Sequence, residues 1–126
     1  MNLLLKDIIK TTHRYNFHTH TQFCDGKDTM EAISANASRQ GFMHLGFTPH
    51  SPVCCQSPCN MHKDSVQTYL DEASRMKEMH EPDMRVYTSM EIDYLGRDFG
   101  PHIDYFQKIP LDYRLASVHF VPNQDG

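Results

Sequence analysis

Apolar residues recur along this chain at two spacings, and the switch between them marks the elements. Residues 15–20 (Tyr-Asn-Phe-His-Thr-His) read as a strand, which predicts Tyr15, Phe17 and Thr19 on one face and His18 and His20 together on the other. Met30, Ile33 and Ala37 then fall at helical spacing behind Asp28 as cap and Glu31 as its box partner, and Gly41 suits the closing turn. Residues 42–48 predict a second strand, with Leu45 and Phe47 opposite His44, Gly46 and Thr48. Pro49 stops it and leaves His50 in line with the second face.

Residues 51–62 lack periodicity and read as a loop. Residues 63–80 hold the clearest helical stripe, made by Val66, Tyr69, Leu70, Ala73, Met76 and Met79 and ended by Pro82. A third strand is predicted over 84–93, setting Val86, Thr88, Met90 and Ile92 against Tyr87, Ser89, Glu91 and Asp93. A short helix fits within 102–108. Residues 115–121 predict a fourth strand, with Ala116, Val118 and Phe120 opposite Leu115, Ser117, His119 and Val121. The apolar residues of 1–10 are interrupted by Lys6 and Asp7, which fits a short amphipathic helical turn or a poorly ordered leader, and neither a signal peptide nor a membrane span.

Strands alternating with helices point to an α/β fold with parallel strands, whose ligand sites gather at the strands' carboxyl ends. Each predicted strand of this chain carries a His or Glu there. Together His18, His20, His50, Glu91 and His119 make a candidate polynuclear metal site of nitrogen and oxygen donors, suited to Zn, Mn or Fe and lacking the thiolates of a structural zinc. A carboxylate among histidines can also bridge two cations, an arrangement that activates water and clamps a phosphoryl group. Glu91, turned inward, needs a cation, an arginine or solvent to receive it.

The 126 residues suffice for one domain with a modest core. Twelve Lys and Arg against sixteen Asp and Glu give a net charge of -4 with no basic run, which argues against a nucleic acid partner. The spacing of Cys24, Cys54, Cys55 and Cys59 matches neither a disulfide scaffold nor a zinc ribbon, so reduced cysteines in a cytoplasmic protein are expected. His44 reads as structural, and His13, His62, His80 and His102 as solvated. Asp93 could meet a cationic substrate group and Ser51 a phosphate oxygen, although a solvated carboxylate and an ordinary turn explain them equally well.

Four stretches resemble the PHP (polymerase and histidinol phosphatase) family, and most closely its stand-alone histidinol-phosphate phosphatases. They are residues 16–26 (NFHTHTQFCDG), 46–52 (GFTPHSP), 90–95 (MEIDYL) and 110–121 (PLDYRLASVHFV). The resemblance implies a distorted (β/α)7 barrel holding up to three divalent metals, and a function in histidine biosynthesis: hydrolysis of the small phosphate monoester L-histidinol phosphate to L-histidinol and phosphate. On the same grounds His18, His20 and Glu91 would bind the first metal, Glu91 would bridge to a second held also by His119, and Asp25 and His50 would belong to the third.

Family members run to about twice this length, with further ligands in their second halves, a His or Cys and a late Asp-x-His, that have no counterpart here. The resemblance thus implies that residues 1–126 are the N-terminal part of a single PHP domain, about four strands of an incomplete barrel, with little or no activity alone. Another phosphoesterase or a nuclease of the family would share every ligand, and a non-catalytic metal-binding fragment is the remaining alternative.

Overall fold

Four parallel strands, β1 (Tyr15–Asn16), β2 (His44–Phe47), β3 (Arg85–Asp93) and β4 (Tyr113–Ser117), lie side by side in chain order in the computed structural model, which describes residues 5–53 and 57–118. Helix α1 (Leu5–Thr11) precedes the sheet and α2 (Met30–Arg39) joins β1 to β2. A 3-10 turn (Lys63–Ser65) running into α3 (Val66–His80) joins β2 to β3, and the single turn α4 (Asp104–Gln107) joins β3 to β4. The sheet curls into a half-barrel with these helices between its strands.

The curl is visible in the register. Residues 85–88 of β3 pair with β2, whereas residues 89–93 pair with β4. Such a shift of partners along one strand is the stagger by which a sheet closes on itself.

The core lies between the outer face of the sheet and the helices. Leu45, Phe47, Val86, Met90 and Ile92 pack there against Met30 and Ala37 of α2, Tyr69, Ala73 and Met76 of α3, and Phe106 of α4. The alternation expected of β3 is realised, since Val86, Met90 and Ile92 enter this core. The inner face carries an aromatic group instead. Phe17 packs edge-on against Tyr87 and Tyr113, and His44 Nδ1 lies 2.9 Å from the Tyr87 hydroxyl.

Several expectations differ in detail. Thr29, not Asp28, caps α2: its hydroxyl accepts from Ala32 N at 3.1 Å, and Glu31 pairs with Arg75 across to α3 rather than closing a box. Met79 is 49% exposed. The inward positions of α3 run 66, 69, 73, 76 and 80, so half-buried His80 takes the last place and lies 3.1 Å from Ser34 Oγ on α2. β4 begins two residues earlier than predicted. Ala116 of β4 and Val118 just past it, expected on the apolar face, are exposed. Gly41 takes φ +82° after α2, as expected. Cys24 and Cys59 are free thiols, while Cys54 and Cys55 lie outside the described residues. No described helix is long and apolar enough to cross a membrane.

One buried hydroxyl repairs a break in the ladder between β2 and β3. In a parallel pairing of Thr48 with Ser89, the Ser89 carbonyl would accept from the amide of residue 49, and Pro49 has none. The Tyr69 hydroxyl fills that gap, donating to Ser89 O at 2.6 Å, accepting from Ser89 N at 3.2 Å and lying 3.1 Å from Phe47 O. Burial pushes its pKa well above the ordinary tyrosine value, so the proton stays in place. Tyr69→Phe leaves buried backbone groups unpaired and is expected to cost about 1–3 kcal/mol of unfolding free energy in urea denaturation.

Candidate metal centre

Past that break the ladder resumes in register. Glu91 N donates to Pro49 O at 3.0 Å and Ser51 N donates to Glu91 O at 3.0 Å, which makes His50 the direct partner of Glu91. Side chains of partnered residues on parallel strands leave the sheet on the same side. His50 Nδ1 accordingly stands 2.8 Å from Glu91 Oε2.

The first strand reaches the same place by a different route. β1 pairs only at Tyr15 and Asn16, and Asn16 Oδ1 then accepts from His18 N at 2.9 Å, a local turn that takes the chain out of the ladder. Phe17 stays with the inner-face aromatics, yet His18 and His20 also reach the inner mouth. His18 Nε2 lies 2.5 Å from Glu91 Oε1 and His20 Nε2 lies 3.6 Å from Glu91 Oε2. The two histidines converge as expected, but through a turn rather than through strand alternation.

Asp25 comes in on a tight loop folded over buried Thr21. Cys24 N and Gly26 N both donate to Thr21 O, and Phe23 N donates to Thr21 Oγ1. Gly26 is required sterically, since a Cβ there would lie 2.6 Å from Thr21 N and 2.8 Å from His20 C. The loop sets Asp25 Oδ1 at 2.9 Å from His20 Nδ1 and Oδ2 at 3.3 Å from His50 Nε2. Burial raises the pKa of Asp25, but the hydrogen bond from the Cys24 thiol and the charges of His50 and His20 outweigh it and hold the carboxyl below its ordinary value. Cys24 itself is pushed up by burial and keeps its proton as the donor.

Two overlapping donor sets result, His18 with His20 and Glu91, and His20 with Asp25 and His50. Within each set the ligand atoms lie no more than 4.8 Å apart. A divalent cation fits them on two counts. His20 Nε2 is buried without a hydrogen-bond partner among the described residues, and Glu91, only 5% exposed, is a carboxylate taken out of water. All the donors are nitrogen or oxygen.

Of the six predicted ligands, His18, His20, Asp25, His50 and Glu91 are brought together, while His119 lies outside the described residues. Asp93 and Ser51 are both buried and hydrogen-bonded within the protein. Asp93 Oδ2 accepts from Asn60 Nδ2 at 2.8 Å, and Ser51 Oγ donates to Pro52 O. His102 Nε2 lies 2.6 Å from Arg97 O, while His13 and His62 are exposed. Of the residues that aim the ligands, Asn16 was missed, although it is a turn former and carried a signal. Tyr113, 96 positions from its partner Phe17, carried none.

A family model described as PHP domain matches residues 16–126. The chain is 29% identical over 116 residues to the histidinol-phosphatase of Bacillus subtilis, covering 82% of this chain and 43% of that protein. It is equally similar, 29% over 116 residues, to a Schizosaccharomyces pombe protein named probable histidinol-phosphatase, of which it covers 38%. A crystal structure of a Listeria monocytogenes protein, assigned only provisionally as a histidinol phosphatase, superposes with a TM-score of 0.75 at 21% identity, a likeness of fold that covers 89% of this chain and 47% of that one. The chain thus spans less than half the length of each of these relatives.

Gly26→Ala forces the loop off the His20 backbone. It is expected to cost about 1–3 kcal/mol in chemical denaturation, with backbone amide shifts displaced at Asp25 and His20 and unchanged along α3.

Proposed function

The chain belongs to the PHP domain family, and from this we propose that it contributes the N-terminal part of one PHP barrel to a metal-dependent phosphatase acting on L-histidinol phosphate. The observation that carries the reading is the meeting of three imidazoles from two separate segments with one buried carboxylate, all within 3.6 Å. The substrate rests on the two relatives named as histidinol-phosphatases. The cytoplasmic location follows from a biosynthetic role.

His18, His20, Asp25, His50 and Glu91, with His119, would hold divalent cations of the Zn, Mn or Fe type. When bound, such cations supply Lewis acidity at phosphoryl oxygens and a source of hydroxide at neutral pH. Glu91 offers one oxygen beside His18 and the other beside His50, so a single carboxylate can serve two neighbouring positions. Asp25 orients His20, because an Nδ1 proton directed at its carboxylate leaves the Nε2 lone pair for a cation. No side chain of this set need act as a nucleophile.

Phosphate release from L-histidinol phosphate, with Mn or Zn supplied, tests the proposal on a protein that carries this segment together with the rest of a PHP barrel. A panel of other phosphate monoesters and single-stranded DNA runs in parallel. Preference for histidinol phosphate supports the reading, and preference for DNA or for another ester replaces it. Glu91→Gln is expected to lower turnover by about a hundredfold or more with an unchanged circular dichroism spectrum.

His20 Nε2 is buried, whereas the His18 side chain is 55% exposed, so His20 is the more firmly placed donor. Metal analysis after dialysis is therefore expected to find less bound cation in His20→Ala than in His18→Ala. Equal retention by both variants and the parent chain would remove these residues from the centre.

A further inference from the structure

The segment that carries His18 and His20 leaves the sheet after Asn16, so something other than ladder pairing must hold it at the mouth. Thr19 is tied to the residue that follows β2, with Thr48 N donating to Thr19 O at 2.7 Å and Thr19 N donating to Thr48 Oγ1 at 2.9 Å. Phe17, directly before His18, is tied from the far side of the half-barrel. The Tyr113 hydroxyl, projecting inward from β4, crosses two intervening strands and donates to Phe17 O at 2.6 Å.

That crossing depends on an absence of side chain on β2. Gly46 lies beneath the Tyr113 ring, and a Cβ on it would overlap the hydroxyl and come within 3.0 Å of Cζ. The ring also stands edge-on to Phe17, with centroids 5.9 Å apart at 89°, and is tilted against Tyr87. Burial pushes the Tyr113 pKa well above the ordinary value, so the hydroxyl remains a donor.

We propose that Tyr113 is a positioning residue for the metal centre, a strut over Gly46 that fixes the Phe17 carbonyl and thereby the placement of His18 and His20 against Glu91. The inference rests on the metal-binding reading of those residues and adds to it a residue that touches none of the ligands. A hydrogen bond to the backbone beside a ligand acts as hydrogen bonds to ligands themselves do, by removing alternative orientations before the cation arrives.

The test is the affinity of the 126-residue chain for Zn or Co, read by chelator competition, together with the visible spectrum of bound Co and the melting temperature of the metal-free chain. Tyr113→Phe keeps the ring and deletes only the donor. It is expected to weaken binding by about tenfold or more and to shift the Co spectrum. Gly46→Ala keeps the hydroxyl but displaces it, and should have the same effects. Phe106→Leu, a core change on the outer face, lowers the melting temperature yet should leave affinity within about twofold, which separates positioning from stability. The proposal is overturned if Tyr113→Phe binds as the parent does while His18→Ala binds more weakly, or if Phe106→Leu loses as much affinity as Tyr113→Phe. If His18→Ala and Glu91→Gln both bind as the parent does, the metal-centre reading itself fails and the strut with it.

Discussion

A buried carboxylate must be met by partners placed for it, and here the placement of Glu91 depends on two backbone hydrogen bonds that straddle a proline. Glu91 N to Pro49 O and Ser51 N to Glu91 O continue the β2–β3 register one step beyond the point where Pro49 interrupts it. Had the chain used the interruption to change register by one residue, His50 would have left the sheet on the opposite side from Glu91. Tyr69 is what makes the interruption tolerable, since its hydroxyl occupies the place of the amide that proline lacks. The proline removes one ladder donor just past β2, and a tyrosine on α3 supplies the missing hydrogen bond.

The part of this arrangement that was legible in the sequence is the part governed by alternation. Along β3 one face goes to the core and the other to the inner surface without exception between Val86 and Ile92, so Glu91 and, through Pro49, His50 were assigned correctly to a common side. At β1 the same rule predicted the right convergence for the wrong reason. Phe17, expected opposite the histidines, shares the inner surface with them because the Asn16 turn rotates the chain between residues 16 and 18. Hydropathy alone also placed Met79 inward on α3, whereas the three-and-four spacing continues to His80, whose ring reaches Ser34. Thr29 and Asp28 are both competent caps, and only the path of the loop from Gly26 selects between them. Contacts between distant segments, such as Tyr113 with Phe17, leave no periodic trace and could not be read.

The centre is built in two mechanical halves. His50 and Glu91 are partnered across a backbone bridge, so displacing either backbone position means breaking its hydrogen bonds. His18, His20 and Asp25 stand on residues 17–26, a loop held by separate ties: Thr19 to Thr48, Phe17 to Tyr113, Gln22 to the amide of Met30, and its own fold around Thr21. The exposures follow the same division: the Glu91 side chain is 6% exposed and that of His18 55%.

A cation placed in such a site would draw on both halves, and the ladder half is held by backbone hydrogen bonds that need no cation. The affinity would then turn on how many conformations the loop half has left to lose. Each of its ties removes some of them in advance: the Asn16 turn, the Thr19–Thr48 pair, the Thr21 carbonyl gripping Cys24 and Gly26, and the Tyr113 strut. None of these ties uses an atom of the candidate donor sets. The donor atoms of the candidate centre come from histidines and carboxylates, whereas the placement of the loop that carries three of them comes from asparagine, threonine, glycine and tyrosine residues around it.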